Sequence, residues 1–153
     1  MQITLSLSLP RDELSVPVAR RVMRASIGEV GVTPSCIGAI EVALSEACTN
    51  VLKHSGPGDE YDITIDVDET NCTIRVIDTG HGFDFDSLGT GASDLTAERG
   101  RGVELMRALV DTVEFTSHPQ AGTIVHLQKE LEYGEGSLAV RLAARRDAKK
   151  AQN

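Results

Sequence analysis

Ile37, Ile40, Leu44, Ala47 and Val51 recur three or four residues apart, and that spacing commits the middle of the chain to one long amphipathic helix. Thr33-Pro34 supplies a cap and a first-turn proline at its start, and the breaker cluster Ser55-Gly56-Pro57-Gly58 stops it. Most other segments alternate instead. Ile3, Leu5, Leu7 and Leu9 are separated by Thr4, Ser6 and Ser8, the pattern of a half-buried strand. Tyr61, Ile63, Ile65 and Val67 alternate with Asp62, Thr64, Asp66 and Asp68, which gives a second strand with one wet face. Residues 72–78 make a third, with Ile74 and Val76 on one face, and the short turn Glu69-Thr70-Asn71 predicts an antiparallel hairpin. Val113 and Phe115, then Thr123, Val125 and Leu127, mark two more strands around a turn at 119–122.

Two further helices are expected. The first covers 15–29, with Ser15 as cap and Pro17 in the first turn; Val18, Val22 and Ala25 point inward, and Arg20, Arg21 and Arg24 outward. The second runs from Gly102 to about Val110 and carries Val103, Met106 and Leu109 or Val110. Residues 79–100 show no periodicity and are punctuated by Gly80, Gly82, Gly89, Gly91 and Gly100; a loop of that length in a compact domain is usually functional. This order predicts an α+β fold, a two-layer sandwich with helices on one face of a largely antiparallel mixed sheet. Residues 1–133 form one domain, and the tail 134–153 reads as helical or disordered.

Composition narrows the function. With an aromatic content of 3% and no Trp, the core is aliphatic and base stacking is poorly served. Residues 137–153 hold five basic side chains against Asp147 and carry +4, so a total of −8 leaves −12 on the rest. Such a body repels nucleic acid and anionic membranes and favours basic partners. Cys36, Cys48 and Cys72 are odd in number and widely spaced, against both a disulfide framework and a zinc site. The start lacks a signal-peptide pattern, no segment is expected to span a membrane, and a cytoplasmic location follows.

Several short patterns point to a nucleotide. Glu46 and Asn50 lie one turn apart on a helix face distinct from the apolar stripe, and His54 continues their row. A carboxylate and a carboxamide so placed can hold a metal-bound phosphate beside a nucleophile. Asp78-Thr79-Gly80-His81-Gly82 follows the third strand; Asp78 can accept a hydrogen bond from a base amine, although a plain strand-ending turn has the same pattern. Gly100-Arg101-Gly102 directly precedes the last expected helix, where free N–H groups and the helix dipole favour phosphate. Gly122-Thr123 opens the final strand, its hydroxyl within reach of a base-side water or Asp78. Neither the G-x-G-x-x-G nor the G-x-x-x-x-G-K-[ST] pattern is present.

In combination and order, Glu46-x-x-x-Asn50, Asp78-x-Gly80-x-Gly82, Gly100-x-Gly102 and Gly122-Thr123 resemble the Bergerat-fold nucleotide-binding domain of the GHKL superfamily (gyrase, heat-shock protein 90, histidine kinases and mismatch-repair ATPases). The wording SEACTNVLKH, ERGRGVELM, TVEF and GTIVHL is similar to the anti-sigma factor serine/threonine-protein kinases of the RsbW and SpoIIAB type, over residues 3–129. That resemblance implies ATP with Mg²⁺ held by Asn50, Glu46 as general base, and Asp78 accepting from the adenine amino group. Guanine presents an oxygen at that place, so selectivity for ATP is expected. Gly80 and Gly82 would shape the adenine end, Gly100 and Gly102 the triphosphate end, and residues 83–99 the lid.

Arg99 and Arg101 are the cations nearest the phosphates in this scheme; Arg101 departs from the small or apolar residue usual there, and phosphate contact, partner contact or a disturbed loop all stay open. The resemblance also implies a partner contact at Arg20, which on residues alone is equally a solvated helix arginine, and a structural role for His54. It implies a sigma factor and a STAS-domain anti-anti-sigma protein as partners, and a homodimer through the sheet edge or first strand. The alternative is a regulatory binding module of the same fold without kinase activity. A histidine kinase or a mechanochemical ATPase is less well served, since no phosphoacceptor hairpin is read before the long helix and no transducer after the domain.

Overall fold

The computed structural model describes residues 1–54, 60–78, 92–118 and 122–153. In chain order the elements are β1 (Ile3–Pro10), α1 (Ser15–Glu29), α2 (Pro34–His54), β2 (Glu60–Val67), β3 (Asn71–Asp78), α3 (Ala92–Leu109), β4 (Thr112–His118), β5 (Gly122–Glu130) and α4 (Leu138–Ala151). The strands form one sheet in the order β1-β2-β3-β5-β4, and each pairing within it is antiparallel. Helices α1, α2 and α3 pack on one face, giving the expected two-layer α+β sandwich.

Period-two patterning sets the register. Tyr61, Ile63, Ile65 and Val67 of β2 and Cys72, Ile74 and Val76 of β3 are buried beneath the helices, with Ile65 opposite Ile74. The other face is polar and tied together: Thr4 donates to Asp66 at 2.8 Å, Ser8 to Asp62 at 2.7 Å and Arg75 to Asp66 at 3.3 Å. From above, α2 buries its whole stripe of Ile37, Ile40, Leu44, Ala47 and Val51, together with Cys36, Ala43 and Cys48. Each Ile or Leu so buried contributes about 1.5–3 kcal/mol. Thr33 caps α2 as expected: its Oγ1 accepts from the Cys36 N–H at 3.4 Å and its carbonyl from the Ile37 N–H at 2.9 Å.

No segment is expected to approach a membrane-spanning length, yet residues 34–53, 20 residues at a mean hydropathy of 1.2, meet the length and composition of one. In this fold that apolar surface serves as the ceiling of the core.

Helix α1 differs from the sequence expectation by a turn of the stripe. Ser15, Ala19, Met23 and Ile27 face the core, while Val18 is 47% exposed and Ala25 lies outside. Ser15 is not the cap either. It is the first helical residue, and its buried hydroxyl meets Tyr61 Oη at 2.6 Å and donates to the Asp12 carbonyl at 2.6 Å. A hydroxyl satisfied in this way is accepted in the core.

All three cysteines are buried thiols. Burial pushes Cys48, Cys72 and Tyr61 up to about 12.

The tail is helical. Tyr133 bridges to Val32, Gly134 N–H donates to the Gly31 carbonyl at 2.9 Å, and Ala139 N–H reaches the Val30 carbonyl at 3.4 Å. Ser137 caps α4 through its side chain. Beyond Ala139 the helix is largely exposed, with Arg146 paired to Glu69.

Candidate nucleotide site

Glu46 and Asn50 sit half-buried on the side of α2 that meets α3. Opposite them is Gly102. A Cβ there would lie 3.0 Å from Glu46 Oε2 and 3.8 Å from Asn50 Oδ1, so both side-chain oxygens converge on one glycine. Two oxygens, one carboxylate and one carboxamide, make a donor set suited to a hard divalent cation that completes its shell with water and phosphate.

The surroundings of Gly102 differ from expectation. The helix expected to begin there begins at Ala92, so Arg99, Gly100, Arg101 and Gly102 lie inside α3 and not before it. Their N–H groups therefore run along the helix, and the open N-terminus anticipated at Gly100–Gly102 is absent from this conformation. The first half of α3, ASDLTAERG, lacks an apolar stripe, and its glycines read as breakers. Arg101 is exposed on α3. Gly80, Gly82 and residues 83–91 of the expected lid lie outside the described residues.

Gly102→Ala isolates the close approach of α3 to α2. Adding a methyl inside a helix raises propensity by about 0.5–1 kcal/mol, so thermal stability should hold or rise. Glu46 Oε2 must nevertheless move, and activity that depends on it should drop about tenfold or more. Equal loss of melting temperature and activity would show a packing role alone.

Asp78 ends β3 and is fully buried. Arg11, on the segment joining β1 to α1, reaches it: Nη1 donates to Asp78 Oδ1 at 3.0 Å and Nη2 to the Val51 carbonyl at 3.1 Å. One guanidinium therefore joins the end of the central strand to α2 at the residue following Asn50. Across the sheet Asp78 pairs with Thr123, but the Thr123 hydroxyl does not bond Asp78 as expected: its Oγ1 is buried with no hydrogen-bond partner among the described residues. Sequence reasoning missed Arg11, because sixty-seven residues separate it from Asp78 and no local motif links them.

Arg20 lies half-buried on α1 between two clefts that share it and Pro17. One, about 440 Å³, reaches Arg11 and Thr49; the other, about 580 Å³, reaches Ser45 and Glu46. The second cleft is braced by Arg24, whose Nε and Nη2 both bond Glu41 at 2.8 Å and hold its carboxyl below the usual range. The site residues thus form two groups: Glu46, Asn50 and Gly102, with Arg20 lining the same cleft as Glu46, and Arg11, Asp78 and Thr123.

Comparison with known proteins gives the family and the fold. The pattern of the histidine kinase-like ATPase domain matches residues 9–129. The chain is similar to the serine-protein kinase RsbW of Bacillus subtilis (strain 168), at 30% identity over 138 residues, 83% of this chain and 85% of that protein. The RsbW of Bacillus cereus (strain B4264) is 27% identical over 146 residues, 87% of this chain and 91% of its own length. Among solved structures, the RsbU and RsbW domains of a Mycobacterium tuberculosis protein superpose with a TM-score of 0.66 at 20% identity, covering 84% of this chain and 32% of that one. A blue-light activated histidine kinase domain from Erythrobacter litoralis superposes at 0.52 and 19%, covering 80% and 62%. These two likenesses concern the fold.

Proposed function

From the premise that this chain belongs to the histidine kinase-like ATPase domain family, matched over residues 9–129, we propose that it is an anti-sigma factor with protein serine/threonine kinase activity. It binds Mg-ATP, sequesters a sigma factor, and phosphorylates a STAS-domain anti-anti-sigma partner. The observation that carries this reading is the convergence of Glu46 and Asn50 on Gly102. Relatives that carry the name serine-protein kinase RsbW support it.

In this mechanism the partner's Ser or Thr hydroxyl attacks the γ-phosphorus as the bond to the ADP oxygen breaks, and Glu46 takes the hydroxyl proton. Asn50 Oδ1 would supply an oxygen ligand to Mg²⁺, and the ion would offset charge on the phosphates. Asp78, opposite Thr123, accepts from the adenine amine. Engaging phosphate at Gly100–Gly102 requires α3 to open there, and each glycine lowers the cost of opening by about 1 kcal/mol relative to alanine.

The partner surfaces follow. Arg20 lines the cleft that contains Glu46, so a protein seated on Arg20 brings its hydroxyl near the base. The acidic body suits a basic sigma surface. β1 is an edge strand with unpaired backbone groups, which supports a homodimer formed along it. Sites of action with soluble partners fit a cytoplasmic protein.

A second reading, a binding module without phosphotransfer, is favoured by one observation: α3 runs unbroken through Gly100 and Gly102. One experiment separates the two. The immobilised full chain is incubated with lysate and Mg-ATP labelled at the γ-phosphate, and retained and labelled proteins are identified by mass. A retained sigma factor with a labelled small STAS protein is expected. Retention with no label on any protein would favour the binding module.

A further inference from the structure

We infer that Arg11 is a positioning residue that gives the nucleotide site its preference for adenine over guanine, by holding Asp78 as an oriented carboxylate. The inference rests on the reading of Asp78 as the adenine contact.

Asp78 is fully buried, and a carboxylate withdrawn from water needs a cation or several donors to remain charged. Arg11 meets that need from a position almost as secluded: the Arg11 and Asp78 side chains are 9% and 1% exposed. The pairing is anchored at a second point. With Nη1 on Asp78 Oδ1 at 3.0 Å and Nη2 on the Val51 carbonyl at 3.1 Å, the planar guanidinium cannot rotate without breaking at least one of these bonds. The Val51 carbonyl is fixed in turn by α2, the helix that carries Glu46 and Asn50. Arg11 thus ties the orientation of the adenine-end carboxylate to the element that bears the phosphate-end residues.

The direction of the carboxylate decides the recognition. An ionised carboxylate only accepts hydrogen bonds, so it takes the N–H of an exocyclic amine and opposes a carbonyl oxygen. A carboxylate that can turn aside opposes that oxygen less and accepts from the amine less well, and the Arg11 fork is one of the contacts that stop it turning. Loss of Arg11 should therefore reduce discrimination and not merely affinity. Removing a general structural strut would weaken ATP and GTP alike.

The test is competition of ATP and GTP against a fluorescent ATP analogue on the full chain, with folding followed by circular dichroism and melting temperature. Arg11→Met is expected to retain the fold and to lower the GTP-to-ATP ratio of dissociation constants by about tenfold or more, the size of effect that a charge-assisted bond commands. Arg11→Lys, which keeps the cation without the fork, should fall between, and it carries the test if Arg11→Met does not fold. Asp78→Asn supplies the reference. If it collapses the ratio while the Arg11 variants leave it at the parent value, the inference about Arg11 is overturned and the role of Asp78 stands. A parent-like ratio in Asp78→Asn would overturn the adenine reading of Asp78 and the role of Arg11 with it. Equal weakening of ATP and GTP in the Arg11 variants would also overturn it, leaving Arg11 a strut.

Discussion

Glu46→Gln is expected to lower phosphotransfer to the partner by about two to four orders of magnitude, the usual contribution of a positioned general base. The substitution keeps the shape of the side chain and removes its ability to take a proton. Glu46 is half-buried at the α2–α3 contact, close to where a Gly102 Cβ would stand, so an isosteric amide should fit without repacking. Asn50 is untouched, and nucleotide affinity should change much less than the rate. Single-turnover transfer of labelled phosphate, measured beside nucleotide binding and sigma-factor retention, separates these quantities. A rate within about tenfold of the parent would remove Glu46 from the catalytic role.

The largest stability effect is expected at Gly31→Val. Gly31 has φ +94°, a region that β-branched residues hardly enter, and its Cβ would stand 2.2 Å from Ser137 Cβ and 3.2 Å from Ser137 Cα. The second contact is with backbone, which cannot rotate away. Gly31 also accepts from the Gly134 N–H at 2.9 Å, so the clash falls where the segment after β5 is stitched to the α1–α2 connection. Backbone strain and overpacking together should cost about 2–4 kcal/mol. Gly136→Val separates the two contributions: φ is +70° there, but nothing lies within 4 Å of the added Cβ, so strain acts alone. Urea midpoints for the two variants should differ clearly, and equal losses would contradict a specific Gly31–Ser137 contact.

The strands were legible because each buries one face, and period-two alternation survives wherever that holds: Tyr61 to Val67 and Ile74 to Val76 are buried as read. The α2 stripe was legible for the same reason at helical spacing. In α1 the reading took Val18, Val22 and Ala25 as inward, whereas the core takes the ladder Ser15, Ala19, Met23 and Ile27. A serine whose hydroxyl donates to the Asp12 carbonyl and meets Tyr61 has no signature in a hydrophobic pattern. In α3 two glycines masked a helix that continues through them. The tail's helix was one of two readings, settled by contacts at Val30 and Gly31 that are remote in sequence.

Among the site residues, the Glu46–Asn50 spacing is local and survives in the fold, as does the placing of Asp78 at a strand end. What the sequence hides is long-range: the close passage of Gly102 over α2, and the guanidinium of Arg11 on Asp78.

The three buried thiols give the protein a clock of its own. Cys36 and Cys48 lie on α2 and Cys72 on β3, so they look into the interface between helices and sheet from both sides. A thiol reagent attacks the thiolate, and at Cys48 and Cys72 burial withholds both access and ionisation. Modification must therefore wait until the layers part. Its rate then counts those openings, as amide exchange does, with no label added and no residue changed.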